Sequence, residues 1–452
     1  MNDYESDRTF RLFHDRHGYD WIEDPHQADL ILFNTCSIRE KADQKAMSAI
    51  GSLNEIKQER PDMIIAVGGC MAQIQGESIQ KRFPYVDIVF GTHQWNKLPE
   101  MVQNAQTQQS KLFQVQQLEK DFESWKNYSF LPVAQDGPPP SDQNCHQDGG
   151  GPSYLKFPVR ENVTIQNGCN HFCTFCLVPF TRGREVSRPI QDILAEIRML
   201  ADRGVKEVNL LGQNVNAYGT DKRGEPRFAE LLQKVSEIKS IERIRFVTSH
   251  PAEMTFEMID VMAENPKICE HLHLPIQSGS DRILDLMERG YKVERYRELA
   301  TYLRKRIPHI ALTSDIIVGF PTESEEDFAM TLSVVEEFDF DETYSFIYSP
   351  RPHTKAAKWE TQFVEESIAK ERLSRLQKKQ RHIKNEHTQE LLGTTVEVLV
   401  ESFQDQEGEG RLTGRTRKFQ TVHFPGTKDL LCNLKNIKIT KAYTYNIEGR
   451  LE

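Results

Sequence analysis

A short cluster of cysteines constrains this chain more than any other feature of its sequence. Cys169, Cys173 and Cys176 stand in a C-x3-C-x2-C arrangement, and the whole chain of 452 residues has 8 cysteines. Cysteines clustered this closely in a long chain are more typical of metal ligands than of a disulfide framework. Three thiolates can bind three irons of a cubane iron–sulfur cluster and leave the fourth iron open to another ligand.

A structural zinc site is the alternative interpretation of the same cysteines. Such sites are closed by four Cys or His ligands, usually arranged as two pairs. Only His171, inside the triplet, could complete the set, and no second cysteine pair lies nearby in the sequence. Because the triplet lacks the two-pair spacing of zinc ribbons and fingers, its spacing favours an iron–sulfur cluster.

The first region of the chain, residues 1–126, is predicted to form an α/β domain with a parallel sheet. Its short apolar strands alternate with helical stretches, with strands at 28–33, 63–67 and 86–90 and helices at 39–59 and 77–82. Cys36 and Cys70 each follow one of these strands. Ligands gather at the carboxyl ends of parallel strands, so we expect both cysteines to be metal ligands rather than small buried thiols.

Residues 127–152 are predicted to form a disordered linker. The segment contains a run of consecutive prolines and, further on, a run of consecutive glycines among polar residues. Such a composition cannot bury enough apolar surface to form a core. The linker therefore separates the first α/β region from the region that carries the triplet.

The central region, residues 153–380, is predicted to be a partial (β/α)6 barrel. Strand candidates alternate with helices, and the strands fall at 162–166, 207–211, 244–249, 271–276, 312–318 and 342–348. These strand–helix units are too few to close a full barrel. The triplet follows the first strand directly, which places it on the C-terminal face, where barrels keep their chemistry.

Polar and small residues at the carboxyl ends of later barrel strands are further candidates. Gln213 and Asn214 follow the second strand, Ser278 follows the fourth and Gly319 the fifth. Their position on the same face as the triplet predicts a role in binding a cofactor or a substrate base. Ordinary turn chemistry is the alternative, because these residue types are common where strands end.

The last region, residues 381–452, is predicted to be a small β-barrel that binds nucleic acid. Short strand candidates follow one another closely after residue 393, as is typical of such barrels, and a strongly basic helix at 369–384 leads into them. The residues predicted to bind phosphates are Arg411, Arg415, Arg417 and Lys418. A solvated charged surface is the alternative for both the helix and the barrel.

Charge and composition limit the remaining possibilities. The formal net charge is −10, which argues against a protein coated in basic surface but allows a local basic patch. The first residues are acidic and polar, unlike a signal or transit peptide, and no apolar run approaches the length of a membrane span. We therefore expect a soluble, cytoplasmic protein that has no membrane partner and acts as a monomer.

Taken together, these regions resemble the radical S-adenosylmethionine superfamily and, within it, the methylthiotransferases. In that family an α/β domain with cysteines like Cys36 and Cys70 precedes a barrel with the triplet, and a small barrel of the TRAM type ends the chain. The resemblance covers nearly the whole chain except the linker at 127–152. Three segments are similar to sequences of the branch that modifies isopentenyladenosine in tRNA. They lie at 34–42, 179–185 and 348–352.

The resemblance implies a radical enzyme with two [4Fe-4S] clusters and S-adenosylmethionine as cofactors. The triplet would hold the cluster that cleaves S-adenosylmethionine into methionine and a 5′-deoxyadenosyl radical. This radical would take hydrogen from C2 of N6-isopentenyladenosine, next to the anticodon in the anticodon stem-loop of tRNA. A second cluster on Cys36 and Cys70 would carry the methylated sulfur that is inserted. The family also implies a reducing electron donor and a sulfur source as partners.

Three other functions are alternatives. Two sister branches of the family act on threonylcarbamoyl-adenosine in tRNA and on an aspartate of a ribosomal protein. The third alternative is a non-catalytic RNA-binding protein in which the clusters are structural. The intact triplet, with its open iron, argues against this last possibility.

The beginning of the chain departs from the family pattern. Members of the family bring three cysteines to the second cluster, the first of them in a Gly-Cys-Gln-Met-Asn word. This sequence opens with Met1, Asn2, Asp3 and Tyr4, which match the residues directly after that cysteine in the family. We therefore expect the first ligand, and a strand before the opening helix at 7–17, to lie upstream of Met1, with the start truncated or misassigned.

Overall fold

The computed structural model describes the chain at residues 1–37, 40–108, 111–115, 159–224, 227–406 and 409–452. These stretches form three folded regions in the order that the sequence predicts. The predicted linker at 127–152 and the predicted boundary at residue 126 lie outside the described stretches. Among the described residues, no helix is long and apolar enough to cross a membrane.

The N-terminal region is a parallel sheet with the strand order β1–β2–β3–β4. The strands are β1 (Leu30–Thr35), β2 (Ile64–Gly69), β3 (Ile88–Phe90) and β4 (Leu112–Gln114). The helices are α1 (Asn2–His17), α2 (Glu40–Glu59), α3 (Cys70–Arg82) and α4 (Leu98–Gln108). Every strand pair is parallel, as the alternation of strands and helices predicts. The edge strand β4 is absent from the sequence prediction, because it is short and only partly buried.

The central strand β2 shows why this sheet carries helices on both faces. Every residue of β2 is buried, and alternate side chains point to opposite faces of the sheet. Ile65 and Val67 pack with residues of α2 and α3, whereas Ile64 and Ala66 pack with residues of α1 and α4. The continuous apolar sequence of β2 is therefore that of a parallel strand buried on both sides.

The central region contains the six parallel strands of a partial barrel. They form two sheets, β5–β8–β9 and β10–β11–β12, and a parallel bridge between Ile244 and Ile268 joins them. The strands are β5 (Arg160–Thr164), β8 (Glu207–Leu211), β9 (Arg243–Phe246), β10 (His271–His273), β11 (Ala311–Val318) and β12 (Glu342–Ile347). The partial (β/α)6 barrel predicted from the sequence is confirmed.

Helices α6, α8, α9, α11 and α12 share one hydrophobic core with the strands of the partial barrel. The helices of this region are α5 (Val178–Thr181), α6 (Ile190–Asp202), α7 (Thr220–Arg223), α8 (Phe228–Ser236), α9 (Phe256–Glu264), α10 (Asp281–Leu286), α11 (Val293–Arg306) and α12 (Glu325–Glu337). A small antiparallel pair, β6 (Gln166–Asn167) and β7 (Val186–Ser187), encloses the triplet between its two strands.

The C-terminal region is a closed five-stranded barrel with the order β13–β14–β15–β17–β16. The strands are β13 (Thr395–Gln406), β14 (Glu409–Thr416), β15 (Thr421–Pro425), β16 (Leu434–Tyr443) and β17 (Asn446–Leu451). Helix α13 (Glu366–Gln389) precedes the barrel and extends beyond the basic helix predicted at 369–384. The boundary predicted after residue 380 falls inside this helix.

The small barrel covers the N-terminal ends of the first strands of the partial barrel. Arg243, the first residue of β9, is fully buried and donates a hydrogen bond to Oε1 of Glu397 in β13 at 2.7 Å. Arg245 donates to Oε1 of Glu207 in β8 at 2.8 Å. Its guanidinium also lies 4.9 Å from the ring centre of Phe419, in the turn between β14 and β15. The opposite, C-terminal end of the barrel is left for the triplet.

Candidate active site

The backbone fixes the loop that holds the triplet. Gly168 has φ of 79°, and a side chain there would collide with the carbonyl oxygen of Gly183, so glycine is required. The N–H of Cys169 donates to that same carbonyl at 3.1 Å, and the N–H of Thr174 donates to the carbonyl of Met287 at 3.1 Å. The loop is therefore closed on itself at Cys169 and attached, within the triplet, to the residue that follows α10.

The thiols of the triplet lie close enough to affect one another's charge. Burial and the neighbouring Cys173 raise the pKa of Cys176 to about 12. Burial also raises the pKa of Cys169, and the charges of the other two thiols act in the same direction. A thiol must lose its proton to become a metal ligand, and a bound metal reverses this unfavourable interaction. The chemistry of this donor set therefore suits a metal centre.

The geometry favours an iron–sulfur cluster over the zinc alternative. Within the described stretches, no three His, Cys, Asp or Glu side chains are placed to hold a single metal ion. His171 instead stacks on His250, with ring centres 3.9 Å apart, and its Nε2 lies 2.9 Å from Oε1 of Glu253. In a cubane cluster each thiolate binds a different iron, so the thiols need not converge on one point. The triplet fits a [4Fe-4S] cluster with one iron open.

A buried guanidinium faces the triplet. Arg289 is 5% exposed, and its Nη1 donates to Sγ of Cys173 at 3.5 Å while Nη2 donates to the carbonyl of Pro275 at 3.0 Å. No carboxylate in the described part of the chain pairs with this side chain. A buried cation without a counter-charge is costly, and thiolates would supply that charge. Arg289 is therefore placed to stabilise the deprotonated triplet.

Several buried polar atoms near the ends of β8 and β9 have no hydrogen-bond partner among the described residues. They are both amide atoms of Asn214, Oγ of Ser249 and Nε2 of His250. Burial lowers the pKa of His250, so its imidazole is neutral. Because buried polar atoms are nearly always hydrogen-bonded in folded proteins, such a group at the strand ends indicates a ligand site.

The other residues predicted at strand ends have contacts within the protein. Gln213 accepts a hydrogen bond from the N–H of Gly168 and so holds the start of the triplet loop. Oγ of Ser278 lies 3.3 Å from a threonine hydroxyl of α12. Gly319 has φ of 66°, and its N–H donates to Oε2 of Glu323 at 2.7 Å. The contact of Gly319 is that of a turn, which is the alternative that the sequence allows, whereas Ser278 contacts a distant helix. A cofactor-binding role for these two residues stays a prediction.

Cys36 and Cys70 lie beside each other at the carboxyl ends of β1 and β2. The strand register pairs Thr35 with Gly69, the residues that immediately precede the two cysteines. Gly69 has φ of 95°, and a side chain there would collide with the backbone of Thr35. The parallel sheet thus brings together two cysteines that are far apart in the sequence.

Arg182 connects the two cysteine sites. It directly follows α5, the short helix after the triplet, and it is 4% exposed. Its Nη2 donates to Oε2 of Glu5 in α1 at 3.1 Å, and the guanidinium also bonds to the thiol of Cys70. The amino group of Met1 is buried in the same place, where burial lowers its pKa and the charges of Arg182 and Cys36 act on it. The segment after the triplet therefore contacts the N-terminal region through Arg182, and Oγ1 of Thr92 also donates to the carbonyl of Thr181.

Sequence reasoning missed Arg289, Ser249 and His250. Arg289 is 116 residues from Cys173, and nothing in its local sequence distinguishes it from a surface arginine. Ser249 and His250 follow β9, and the strand-end rule that selects Gln213 and Asn214 would also have selected them. Of these residues, only Arg289 required the structure.

Two of the four residues predicted to bind phosphates are used in contacts within the protein. Arg417 donates to Oε2 of Glu270 at 2.6 Å and to backbone carbonyls of the partial barrel. Arg415 donates to a glutamate of β13 at 3.2 Å and packs on an aromatic ring. Arg411 lies in β14 and Lys418 in the turn after it, and their role in RNA binding stays a prediction.

The basic helix α13 pairs much of its charge with the partial barrel. Its ion pairs with the partial barrel include Arg372–Glu323 at 2.8 Å, Arg375–Glu325 at 2.7 Å and Lys379–Glu336 at 2.5 Å. Part of the basic charge of this helix therefore pairs with the acidic surface on which it packs, and RNA binding by the helix stays a prediction.

Family models match most of the chain. Residues 163–335 match the radical SAM superfamily, residues 389–451 match the TRAM domain, and residues 1–91 match an "Uncharacterized protein family UPF0004". Together they cover the three folded regions described above. The fold and the triplet thus define a radical S-adenosylmethionine enzyme with a small C-terminal barrel.

Curated relatives place the chain more narrowly. It is 42% identical over 453 residues to the tRNA-2-methylthio-N(6)-dimethylallyladenosine synthase of Thermoanaerobacter sp. (strain X514), covering 100% of this chain and 90% of the relative. The enzyme of the same name from Actinobacillus pleuropneumoniae serotype 5b (strain L20) is 42% identical over 99% of this chain and 89% of its own. The chain belongs to this methylthiotransferase family.

A solved structure agrees with the fold. The radical S-adenosylmethionine methyltransferase TsrM from Kitasatospora setae, determined with cobalamin and a [4Fe-4S] cluster bound, superposes with a TM-score of 0.53 at 15% identity. The match covers 73% of this chain and 65% of that structure, just under two thirds. At this identity the likeness supports the architecture alone.

Proposed function

We propose that this chain is a tRNA methylthiotransferase that adds a methylthio group to C2 of N6-isopentenyladenosine next to the anticodon. The observation that carries this proposal is the pair of cysteine sites, which Arg182 joins. The relatives carry names for the same product, a 2-methylthio-N6-dimethylallyladenosine in tRNA. These names do not favour threonylcarbamoyl-adenosine or a ribosomal-protein aspartate as the substrate.

The residues that would hold the cofactors are the five cysteines. Cys169, Cys173 and Cys176 would bind the [4Fe-4S] cluster that leaves one iron open for S-adenosylmethionine, and Cys36 and Cys70 would be two ligands of the second [4Fe-4S] cluster. When bound, these groups supply the reductive cleavage of S-adenosylmethionine and the sulfur to be inserted. The protein supplies their placement.

The side chains around the triplet would position S-adenosylmethionine. Asn214 offers a donor and an acceptor that lack partners among the described residues, Ser249 offers a hydroxyl, and neutral His250 offers Nε2. Each of these side chains is at most 5% exposed, so the site excludes most water around the bond that breaks. Arg289 would neutralise the thiolates, and it leaves the polar strand-end atoms to the cofactor.

Arg182 would fix the two sites relative to each other. A buried guanidinium that bonds to both a carboxylate and a thiol restricts the distance between the elements that carry them. Reactions between two bound groups depend strongly on such placement, and a small displacement costs much of the rate. Arg182 is therefore a positioning residue, because it acts through the segments it holds.

The remaining partners are also proposals. The substrate would be tRNA, with the anticodon stem-loop at the C-terminal face of the partial barrel. A reducing protein would donate the electron, and a sulfur source would restore the second site after each turnover. We expect the enzyme to act as a monomer in the cytoplasm.

The test is a reconstituted reaction followed by nucleoside analysis. Protein with both clusters restored would be incubated with S-adenosylmethionine, a chemical reductant and tRNA that carries isopentenyladenosine. We expect mass spectrometry to show the methylthio form of that nucleoside, together with 5′-deoxyadenosine. tRNA that carries unmodified adenosine at the same position is the matched control and should give no methylthio product. Formation of 5′-deoxyadenosine with methylthiolation of another nucleoside would contradict the proposed substrate.

A further inference from the structure

Exposed aromatic rings surround the outer surface of the triplet loop. Phe172, which lies between two cysteines of the triplet, is 36% exposed, and Phe180 at α5 is 38% exposed. Their ring centres are 6.4 Å apart and the rings are perpendicular. His353, also exposed, lies 6.2 Å from Phe180 at an interplanar angle of 33°. These rings form one aromatic surface beside the cysteines.

A cation lies on this surface. The guanidinium of Arg184 is exposed and stands 4.3 Å from the ring centre of Phe172. No carboxylate of the described residues pairs with Arg184, in contrast to Arg372 and Arg375 of α13. Aromatic faces combined with arginine form the usual surface on which proteins stack single-stranded bases and contact phosphates.

The packing of the loop shows that the exposure of these rings is selective. Phe175, three residues after Phe172, turns inward and packs at 6.5 Å against the buried ring of Phe320. The same short loop thus packs one phenylalanine partly against the core and leaves the ring of another exposed. Core packing explains Phe175, but it does not explain Phe172 or Phe180.

The position of the surface indicates which bases would lie on it. Phe172 immediately precedes Cys173 in the chain, so this surface adjoins the loop that carries the triplet. A nucleoside that leaves its stack to react exposes the faces of its neighbours, which costs free energy. Aromatic rings next to the reactive centre can replace the lost stacking.

We propose that Phe172, Phe180 and Arg184 form a stacking surface for the bases that flank the target adenosine. The rings stack on the flanking bases, and Arg184 contacts the phosphate between them. The inference rests on the proposed tRNA substrate and deepens it, because it assigns the contacts that hold the anticodon loop of the tRNA open at the triplet. Single-stranded RNA is the occupant, since the surface combines π faces with a cation that no described carboxylate pairs.

The test measures binding rather than modification. Full-length protein with its clusters restored would be titrated against a fluorescent anticodon stem-loop, using the wild type, Phe172→Leu, Phe180→Leu and Arg184→Gln. We expect each Phe→Leu variant to raise the dissociation constant by about 10-fold, because the loss of one stacked base changes affinity by about this much. The iron content and the cleavage of S-adenosylmethionine without RNA would be measured for each variant, so that damage to the cluster is detected. Phe180 lies outside the triplet, so Phe180→Leu still tests the stacking surface if Phe172→Leu loses iron.

Phe256 and Arg295 provide a matched control. Phe256 is 41% exposed, and the guanidinium of Arg295 lies 5.1 Å from its ring centre, on helices α9 and α11. Phe256→Leu removes the same kind of exposed cation–aromatic pair away from the triplet. We expect this variant to bind the stem-loop like the wild type.

A stem-loop with abasic flanking positions completes the test. The wild type and Phe180→Leu should bind this RNA equally, because no base remains to stack. The proposal would be overturned if Phe180→Leu bound the normal stem-loop as tightly as the wild type does. It would also be overturned if the substitution weakened binding of the abasic RNA as much as binding of the normal stem-loop. If the protein binds as expected but does not methylthiolate the stem-loop, the proposed function fails and the stacking surface stands.

Discussion

The two ends of the partial barrel use buried arginines in opposite ways. At the N-terminal end, Arg243 and Arg245 each face a carboxylate, at 2.7 Å and 2.8 Å. At the C-terminal end, Arg289 has the Sγ of Cys173 as its neighbour, and Asn214 has no hydrogen-bond partner among the described residues. The arginines of one end are paired with carboxylates of the protein, whereas the buried polar groups of the other end are those that the proposed cofactors would satisfy.

The difference separates residues that maintain the fold from residues that bind. Buried ion pairs are costly to break, because one charge is left without a partner. Buried polar atoms without partners persist when a ligand satisfies them, as is expected at the C-terminal face of a barrel. Substitutions at the two ends should therefore affect different measurements.

Loss of a triplet cysteine should have the largest effect on activity. Cys173→Ala removes one of the proposed iron ligands, and we expect it to abolish formation of 5′-deoxyadenosine and of the methylthio nucleoside. Cys70→Ala, at the second site, should abolish only the methylthio nucleoside. Iron analysis and chromatography of both products would check this, and methylthio product from Cys173→Ala would contradict the division between the sites.

Loss of a buried arginine at the N-terminal end should have the largest effect on stability. Arg243→Met leaves Glu397 without its partner next to the small barrel, and we expect the free energy of unfolding to fall by about 3–5 kcal/mol. Urea unfolding of the cluster-free protein would measure this. Arg198→Met, at an exposed position of α6, is the control and should change stability by less than about 0.5 kcal/mol. An equal effect of the two variants would remove the distinction between the ends.

Loss of Arg289 at the C-terminal end should affect the bound cluster rather than the stability of the fold. Arg289→Met removes a buried charge that has no carboxylate partner among the described residues, so the cluster-free protein should be as stable as the wild type or more stable. In the loaded protein, the triplet cluster should become harder to reduce, because a nearby positive charge is lost. Redox titration followed by electron paramagnetic resonance would show a potential lower by roughly 60 mV, a tenfold change in the one-electron equilibrium. An unchanged potential would mean that Arg289 has only a packing role.

The smallest effect concerns pH at the N-terminal end. His387 of α13 lies 3.6 Å from Asp341 and 2.8 Å from Asp339, just before β12, and the carboxylates of Asp341 and Asp339 raise its pKa to about 9. Because the pKa of His387 in the folded protein is above its ordinary value of 6.5, the ion pair contributes fully to the free energy of unfolding below pH 6.5. This contribution is lost as the pH rises through about 9. The site is partly exposed, so we expect a loss of less than about 1 kcal/mol. Unfolding of His387→Gln over the same pH range should show a flatter profile, and a parallel profile would refute the assignment.

The sequence predicts those parts of the molecule whose signal is local. The triplet is contained in one loop, and the strands of the partial barrel have regular apolar patterns, so both were accessible. Cys36 and Cys70 could be paired because strand ends meet at one edge of a parallel sheet. Arg289 could not be predicted, since its contact with Cys173 depends on the fold.

Arg415 and Arg417 show a second limit of sequence reasoning. Basic residues on a small barrel look the same in sequence whether they bind phosphates or pack against another domain. The structure places Arg417 on Glu270 of the partial barrel, and it places Arg415 on Glu401 within the small barrel itself. Only the partner residue distinguishes these uses, and the partner is distant in the sequence.

Nucleoside mass spectrometry of tRNA tests the central claim most directly. In a strain that lacks this gene, tRNA should accumulate N6-isopentenyladenosine and lose its methylthio derivative. Expression of the wild-type chain should restore the derivative, whereas Cys173→Ala and Cys70→Ala should not. Normal levels of the methylthio nucleoside in the strain without the gene, or restoration by Cys173→Ala, would contradict the account.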